Sequence, residues 1–426
     1  SVFFNVFFNF KLKKRFGEYR FLEIGFILNF FLSLYIIFPT IIFITASYTI
    51  GDPISYVLNG FAFSNENLLQ YHLMRMLLFQ LIFILSYLKI RNSKIIRINY
   101  KHFKFKKAFF ILFSLILLAS YFLLFIFSGD FDGYLESYER YNHLSRPLRL
   151  FISVIVRFKF AFIILFLIHF FIYFRDKKKI ITIGFLLLMF LEAKYSAGAR
   201  ISVLFLLFTA FSLYVILNGL PKIRILLVGI LISFVLFSIV EKTRANDNDF
   251  VDKELAQLIP GEFGSAFFTS FHLYQERDDN QLPKKSYKML FFDFIAPFIP
   301  NAEVVDIDPI FWYRNNYFPT AKVPPFTIGP IANTAIWEGE IGLIFRSWLC
   351  ALIFAKFSNF ITRRNISPFK LFIYLSVFST SIMVIKYSIF FQLTLIFKNL
   401  IVPFILFLII RNVLENFIKN PLTQKI

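Results

Sequence analysis

Glu23–Tyr48, EIGFILNFFLSLYIIFPTIIFITASY, decides the fold. After its first residue it carries no charge, and it is long enough to cross a bilayer, which takes about 20 apolar residues in a helix. Backbone in hydrocarbon has to satisfy its own hydrogen bonds, and the run lacks the period-two alternation of a barrel strand, so a helix is expected. Comparable runs follow at Leu68–Leu88, Ala108–Phe127, Leu148–Phe174, Ile180–Lys194, Ile201–Leu217, Ile225–Val240, Thr327–Phe357, Phe369–Ile385 and Ser388–Ile410. The expectation is an all-α fold: a polytopic transmembrane helix bundle of about ten spans, forming one integral membrane domain over residues 1–426.

Composition agrees with that reading. The 426 residues are 58% hydrophobic with 65 Phe and a mean hydropathy of +0.67, too apolar for a soluble domain of this length. The Phe excess fits positions where any large apolar side chain serves. A single cysteine, Cys350, allows neither an intrachain disulfide nor a thiolate metal cluster. Ser1–Phe10 is apolar, but Lys11, Lys13, Lys14 and Arg15 follow it instead of preceding it, so it reads as an interfacial lead-in and not as a signal peptide.

The connecting segments sort by charge. Lys11–Arg20, Lys89–Lys107, Arg175–Lys179, Lys222–Arg224, Lys356–Lys370 and Arg411–Lys425 hold 26 of the 46 basic residues, which places them, and both termini, on the cytoplasmic side. Gly51–Asn67, Gly129–Pro147 and Glu241–Val323 hold 19 of the 26 acidic residues and face outward. The formal charge of +20 is then mostly orientation signal and attraction to anionic membrane lipid, and no nucleic-acid motif accompanies it. The external loop, residues 241–326 between the seventh and eighth predicted spans, is long enough to be a lid or binding element. Within it Leu255–Ile259, Phe263–Tyr274 and Met289–Ile299 have the spacing of short amphipathic helices between Pro and Gly breakers.

Charges inside apolar spans are costly unless they face a wet or paired interior, so Arg75, Arg157, Lys159, Lys194, Arg200, Arg346, Lys386 and Lys398 stand out. Most fall in the outer half of their spans, which suggests an outward-opening cavity lined with cations. Ser145-Arg146-Pro147 reads as a cap with proline at the helix start, and Arg146, Arg149, Ser153 and Arg157 recur at helical steps on one stripe. In Glu192–Arg200, EAKYSAGAR, a small-residue turn separates one apolar run from the next. Arg200 then opens a helix whose first amides favour an anion; the alternative is a structural bridge from Arg200 to Glu192. Glu338, Gly342 and Arg346 stand four apart, which puts an acid and a cation on one helical face. His272, with Glu276 and Arg277 beside it, is the histidine best placed for outer-face proton transfer. Asp130/Asp132, Asp247/Asp249 and Asp306/Asp308 have acid-x-acid spacing, but no metal centre and no cofactor is expected.

The run of about ten spans, the Ser196–Arg200 turn, the long late external loop and Gly329…Glu338-Gly339-Glu340-Ile341-Gly342 together resemble the bacterial O-antigen or oligosaccharide repeat-unit polymerases of the Wzy type. Where many members carry an acid about a turn before the paired glycines, this chain has Asn333 and then Glu338. The resemblance implies an inverting membrane glycosyltransferase of the GT-C kind. Such an enzyme joins undecaprenyl-pyrophosphate-linked oligosaccharide units at the periplasmic face of the bacterial inner membrane, without nucleotide sugar or metal. It implies a chain-length-regulating co-polymerase as a partner besides membrane lipid. Under it Arg157, Arg200 and Arg244, joined by Arg277, Arg346 and Lys386, would hold the donor pyrophosphate, and His272 or Glu338 would deprotonate the acceptor hydroxyl. Two other classes share many features: a lipid-linked oligosaccharide flippase or exporter, and an O-antigen ligase or membrane acyltransferase.

Overall fold

The computed structural model describes residues 1–46, 66–91, 107–128, 144–174, 177–195, 200–220, 330–362, 368–381, 384, 393, 396–405 and 408–409. Every regular element among them is helical, as expected. The predicted span Ile225–Val240 and the loop 241–326 lie outside the described residues.

The chain divides into two compact units: residues 1–98, 252–366 and 380–394 form the first, and 99–251, 367–379 and 395–426 the second. In the first unit, α1 (Val2–Phe16) leads through a 3-10 segment (Gly17–Leu22) into α2 (Ile24–Ala46), followed by α3 (Glu66–Ile90) and, much later, α8 (Pro330–Ser358) with a 3-10 turn, Asn359–Thr362. The lead-in expected over Ser1–Phe10 belongs to a longer helix. Phe8, Leu12 and Phe16, four apart, bury one side of α1 and carry it through the basic run. Lys13, Lys14 and Arg15 then sit in its last turn, where cations complement the helix dipole, and Gly17 ends it at φ 59.

The packing of this unit uses hydrogen bonds as well as apolar contact. Gln80 on α3 donates to Asn29 Oδ1 (2.9 Å) and to Ser33 Oγ (2.8 Å) on α2, and Asn29 donates to Asn5 on α1 (3.0 Å). One amide therefore reads the register of α2 against α3, and the next ties in α1. The most extensive packing is α3 against α8, where Ser347 donates to the Phe79 carbonyl at 2.7 Å.

α8 is not one straight rod. Gly339 has φ 70 and ψ −165, a backbone region that is essentially glycine-only, so the helix breaks there. The register expected for Glu338, Gly342 and Arg346 is thereby corrected. Glu338 precedes the break, and only Gly342 and Arg346 share the helix that follows.

The second unit holds α4 (Lys107–Ser128), α5 (Arg146–Tyr173), α6 (Lys178–Tyr195), α7 (Arg200–Asn218), α9 (Pro368–Thr380) and a π-helical turn, Phe397–Ile401. α5 packs against α4, α7 and the π turn, which carries Lys398. Ser145 takes the position before α5 and proline follows at its start, but the Ser145 hydroxyl makes no capping bond. α9 ends at Thr380, short of the predicted Ile385. Its aromatic residues find partners within the unit: Phe372 stacks on Phe404 with centroids 4.3 Å apart, and Phe378 meets Phe208 edge-on.

Two stretches among the described residues, Gln70–Ile90 and Gly339–Ile361, are long and apolar enough to cross a membrane by themselves, and Ile24–Ile37, Ile111–Leu123, Phe158–Tyr173, Val203–Asn218 and Lys370–Thr380 are shorter apolar helices.

Candidate functional site

Three ion pairs organise the charges of the described residues, and they differ in how far they open to the surroundings. The first joins α2 to α3. Arg91 Nε and Nη2 meet the two oxygens of Glu23 at 2.9 and 2.8 Å, a bidentate fork with both side chains fully buried. The Tyr87 hydroxyl donates to Glu23 at 2.6 Å and also contacts Ser358 Oγ at 2.8 Å, while Arg91 Nη1 donates to Asn359 at 2.6 Å. Ser358 Oγ in turn accepts from the Ile24 amide at 3.3 Å, closing the start of α2. From α1, Arg15 donates to the carbonyls of Leu88 and Arg91 at 2.5 and 3.0 Å, finishing the end of α3. Gly25 permits this convergence, since a Cβ there would stand 2.6 Å from the Tyr87 ring.

The second pair lies in the other unit. Lys159 Nζ on α5 is 3.0 Å from Glu192 Oε1 on α6 and the Tyr121 hydroxyl on α4 donates to the same oxygen at 2.5 Å, with Lys159 and Glu192 both buried. Glu192, expected as the alternative partner of Arg200, bonds Lys159 and Tyr121, and the Arg200 side chain lies outside what is described.

The third pair is Arg75 on α3 with Glu340 on α8, at 2.5 Å. Here the guanidinium is 4% exposed and the carboxylate 46%, so the cation is inside and its counterion is at the surface. The Tyr71 hydroxyl bonds both members, and its ring lies 3.7 Å from the guanidinium carbon. Glu340 directly follows the break at Gly339, where an added Cβ would meet open space.

The residues expected to act on substrate are distributed as follows. Arg200 is the first residue of α7 and α6 is described as far as Tyr195, while the small-residue segment between them, 196–199, lies outside the described residues. Arg157 lies in mid-α5, a helix whose start carries an exposed Arg146 and a half-buried Arg149. Glu338 lies on α8 before the break, and Arg346 is buried on the helix after it. His272, Arg244, Arg277 and Lys386 are outside the described residues, as are the three acid-x-acid pairs. Arg200 and Arg157 fall in the second unit, Glu338 and Arg346 in the first. Hydropathy misses Glu23 with Arg91 and Glu340 with Arg75. By hydropathy Glu23 is a span boundary and Arg91 an orientation charge, although an acid heading one apolar helix and a cation ending another is a usable signal.

No protein-family model, no curated protein and no solved structure matches this chain.

Proposed function

We propose that the chain is a multi-pass membrane glycosyltransferase that polymerises undecaprenyl-pyrophosphate-linked oligosaccharide units at the outer face of a bacterial inner membrane. The observation that carries the membrane reading is the apolar exposure of successive helices. Ile111, Leu115, Leu118 and Phe122 on α4, Ile183, Leu187 and Phe190 on α6, and Ile341, Phe345 and Trp348 on α8 all face outward at helical spacing. Two ion pairs, Glu23 with Arg91 and Lys159 with Glu192, are meanwhile buried. Hydroxyls return to their own helices: Ser120 bonds the Ile116 carbonyl, Thr209 that of Phe205 and Ser376 that of Phe372. This inverts the arrangement water imposes and suits lipid.

The reaction follows from the resemblance and from Arg200 at the head of α7. The acceptor hydroxyl attacks the donor's anomeric carbon as its proton passes to His272 or Glu338. The bond from that carbon to the pyrophosphate oxygen breaks with inversion, and the electron pair leaves on the lipid pyrophosphate. Arg157, Arg200 and Arg244, with Arg277, Arg346 and Lys386, neutralise that leaving group, the largest electrostatic demand of the step. The loop 241–326, which lies outside the described residues, is the assigned cover for the two lipid-linked substrates, and a chain-length regulator is the expected partner. Incubating purified protein with its lipid-linked repeat unit tests the reading. Longer glycans are expected; transport of the unit across vesicles without extension would instead mean a flippase, and no extension in any acceptor mixture would overturn polymerisation.

A further inference from the structure

Two of the three ion pairs have both members buried and surrounded by additional hydrogen bonds, as a purely structural bridge requires. Arg75 and Glu340 do not fit that pattern. The guanidinium is buried with the Tyr71 ring against it, while the carboxylate paired with it is nearly half exposed. Glu340 is also the first residue after a glycine-only backbone break with open space beside it, the kind of joint about which a side chain and its local backbone can swing. Tyr71, 47% exposed, presents a hydroxyl at the same opening.

We propose that Arg75 is an oxyanion-binding residue whose resting occupant is the carboxylate of Glu340, and that a phosphoryl group exchanges with that carboxylate. A buried guanidinium is costly to leave uncompensated, so Glu340 is the predominant occupant of Arg75 until another anion competes for it. The planar fork of arginine accepts two phosphoryl oxygens in the geometry it offers two carboxylate oxygens, and the Tyr71 hydroxyl donates to either. The exchange is autoinhibitory. The tethered carboxylate competes with the ligand, so that if Glu340 occupies Arg75 about nine-tenths of the time, apparent affinity falls about tenfold. The site goes beyond the residues assigned to the leaving group above, and it does not depend on polymerisation.

The test uses the full chain in phosphatidylcholine nanodiscs, with inorganic pyrophosphate as the probe and thermal unfolding as the readout. Glu340→Gln is expected to melt lower than the parent without pyrophosphate. It should be stabilised at roughly tenfold lower pyrophosphate than the parent, and Arg75→Gln/Glu340→Gln should show no such response. Glu340→Asp, a milder change, should respond between parent and Glu340→Gln, and it carries the test if Glu340→Gln does not accumulate folded. Replacing phosphatidylcholine by phosphatidylglycerol separates the two sources of the group. Stabilisation of Glu340→Gln by that lipid without pyrophosphate, lost in the double variant, means a lipid headgroup occupies the site. A destabilised Glu340 variant that neither pyrophosphate nor phosphatidylglycerol restores, or an equal response in the double variant, overturns the proposal and leaves a structural bridge. Glycan extension is not read in this experiment, so its failure and that of the polymerase reading are separate results.

Discussion

Glu23→Gln removes one charge from the closed node while keeping the shape of the side chain. Glu23 accepts from Arg91 twice and from Tyr87 once, with both charged groups fully buried. Gln offers one oxygen where two were used, and its amide nitrogen faces an arginine donor. The buried Arg91 charge is then uncompensated, a loss of about 3–5 kcal/mol when one member of such a pair is removed. At roughly 2–4 °C per kcal/mol for a unit of 150–250 residues, the melting temperature should fall by about 6–20 °C. The chain carries its own reporter, because Cys350, its one cysteine, is buried on α8 in the same unit and becomes reactive to a fluorogenic thiol dye only on unfolding. Glu23→Leu/Arg91→Met removes both charges and should recover most of the loss, since apolar replacement of a whole buried pair is often neutral. A Glu23→Gln melt within about 1 °C of the parent, or a double variant as unstable as the single one, would refute the reasoning.

Other substitutions probe the remaining features. Gly25→Ala pushes a methyl against the Tyr87 ring and should cost about 1–3 kcal/mol, read as earlier exposure of the Cys350 thiol. Gly339→Ala meets no clash, but its φ of 70 with ψ −165 should cost about 1–3 kcal/mol by strain alone, so Gly339→Asn should rescue little in the same melt. In the second unit, Lys159→Met leaves Glu192 buried with Tyr121 and should destabilise by about 3–5 kcal/mol. Lys159→Met/Glu192→Leu should restore much of it in thermal unfolding of the purified chain. Arg200→Ala should slow extension of lipid-linked oligosaccharide by about 100-fold or more with unchanged thermal stability, and a normal rate would remove Arg200 from the reaction.

Helix positions are legible because they follow from runs of apolar residues. The run Glu23–Tyr48 corresponds to the helix Ile24–Ala46, Leu68–Leu88 to Glu66–Ile90, and Leu148–Phe174 to Arg146–Tyr173. What escapes is whatever depends on two distant stretches meeting. Hydropathy treats Glu23 and Arg91 separately, and nothing in either local window says that the two share a fork. Gln80, Asn29 and Asn5 are invisible for the same reason: each is an isolated polar residue in an apolar or mixed run. Gly339 reads as one position of a continuous helix because a lone glycine costs a helix only about 1 kcal/mol, and spacing alone does not reveal a positive φ. The N-terminal helix is legible in retrospect through Phe8, Leu12 and Phe16, whose regular step continues beneath the lysines. Of the candidate site, the start of α7 at Arg200 agrees with a reading from composition, whereas the Arg75 to Glu340 contact spans 265 residues of sequence.

The Glu23 and Arg91 fork also sets an order of assembly. Its members are 68 residues apart in the chain, and at 5–20 residues per second the ribosome delivers the second roughly 3–14 seconds after the first. Through that interval α2 carries an acid with no partner to neutralise it. On the proposed membrane reading its head waits in a wet or headgroup environment until α3 emerges. Ser358 and Asn359 arrive only after a further stretch of synthesis, so the end of α8 locks a joint that the earlier helices have already made. A nascent chain cut just before Arg91 should therefore hold α2 loosely, and one extended past it should hold it fast.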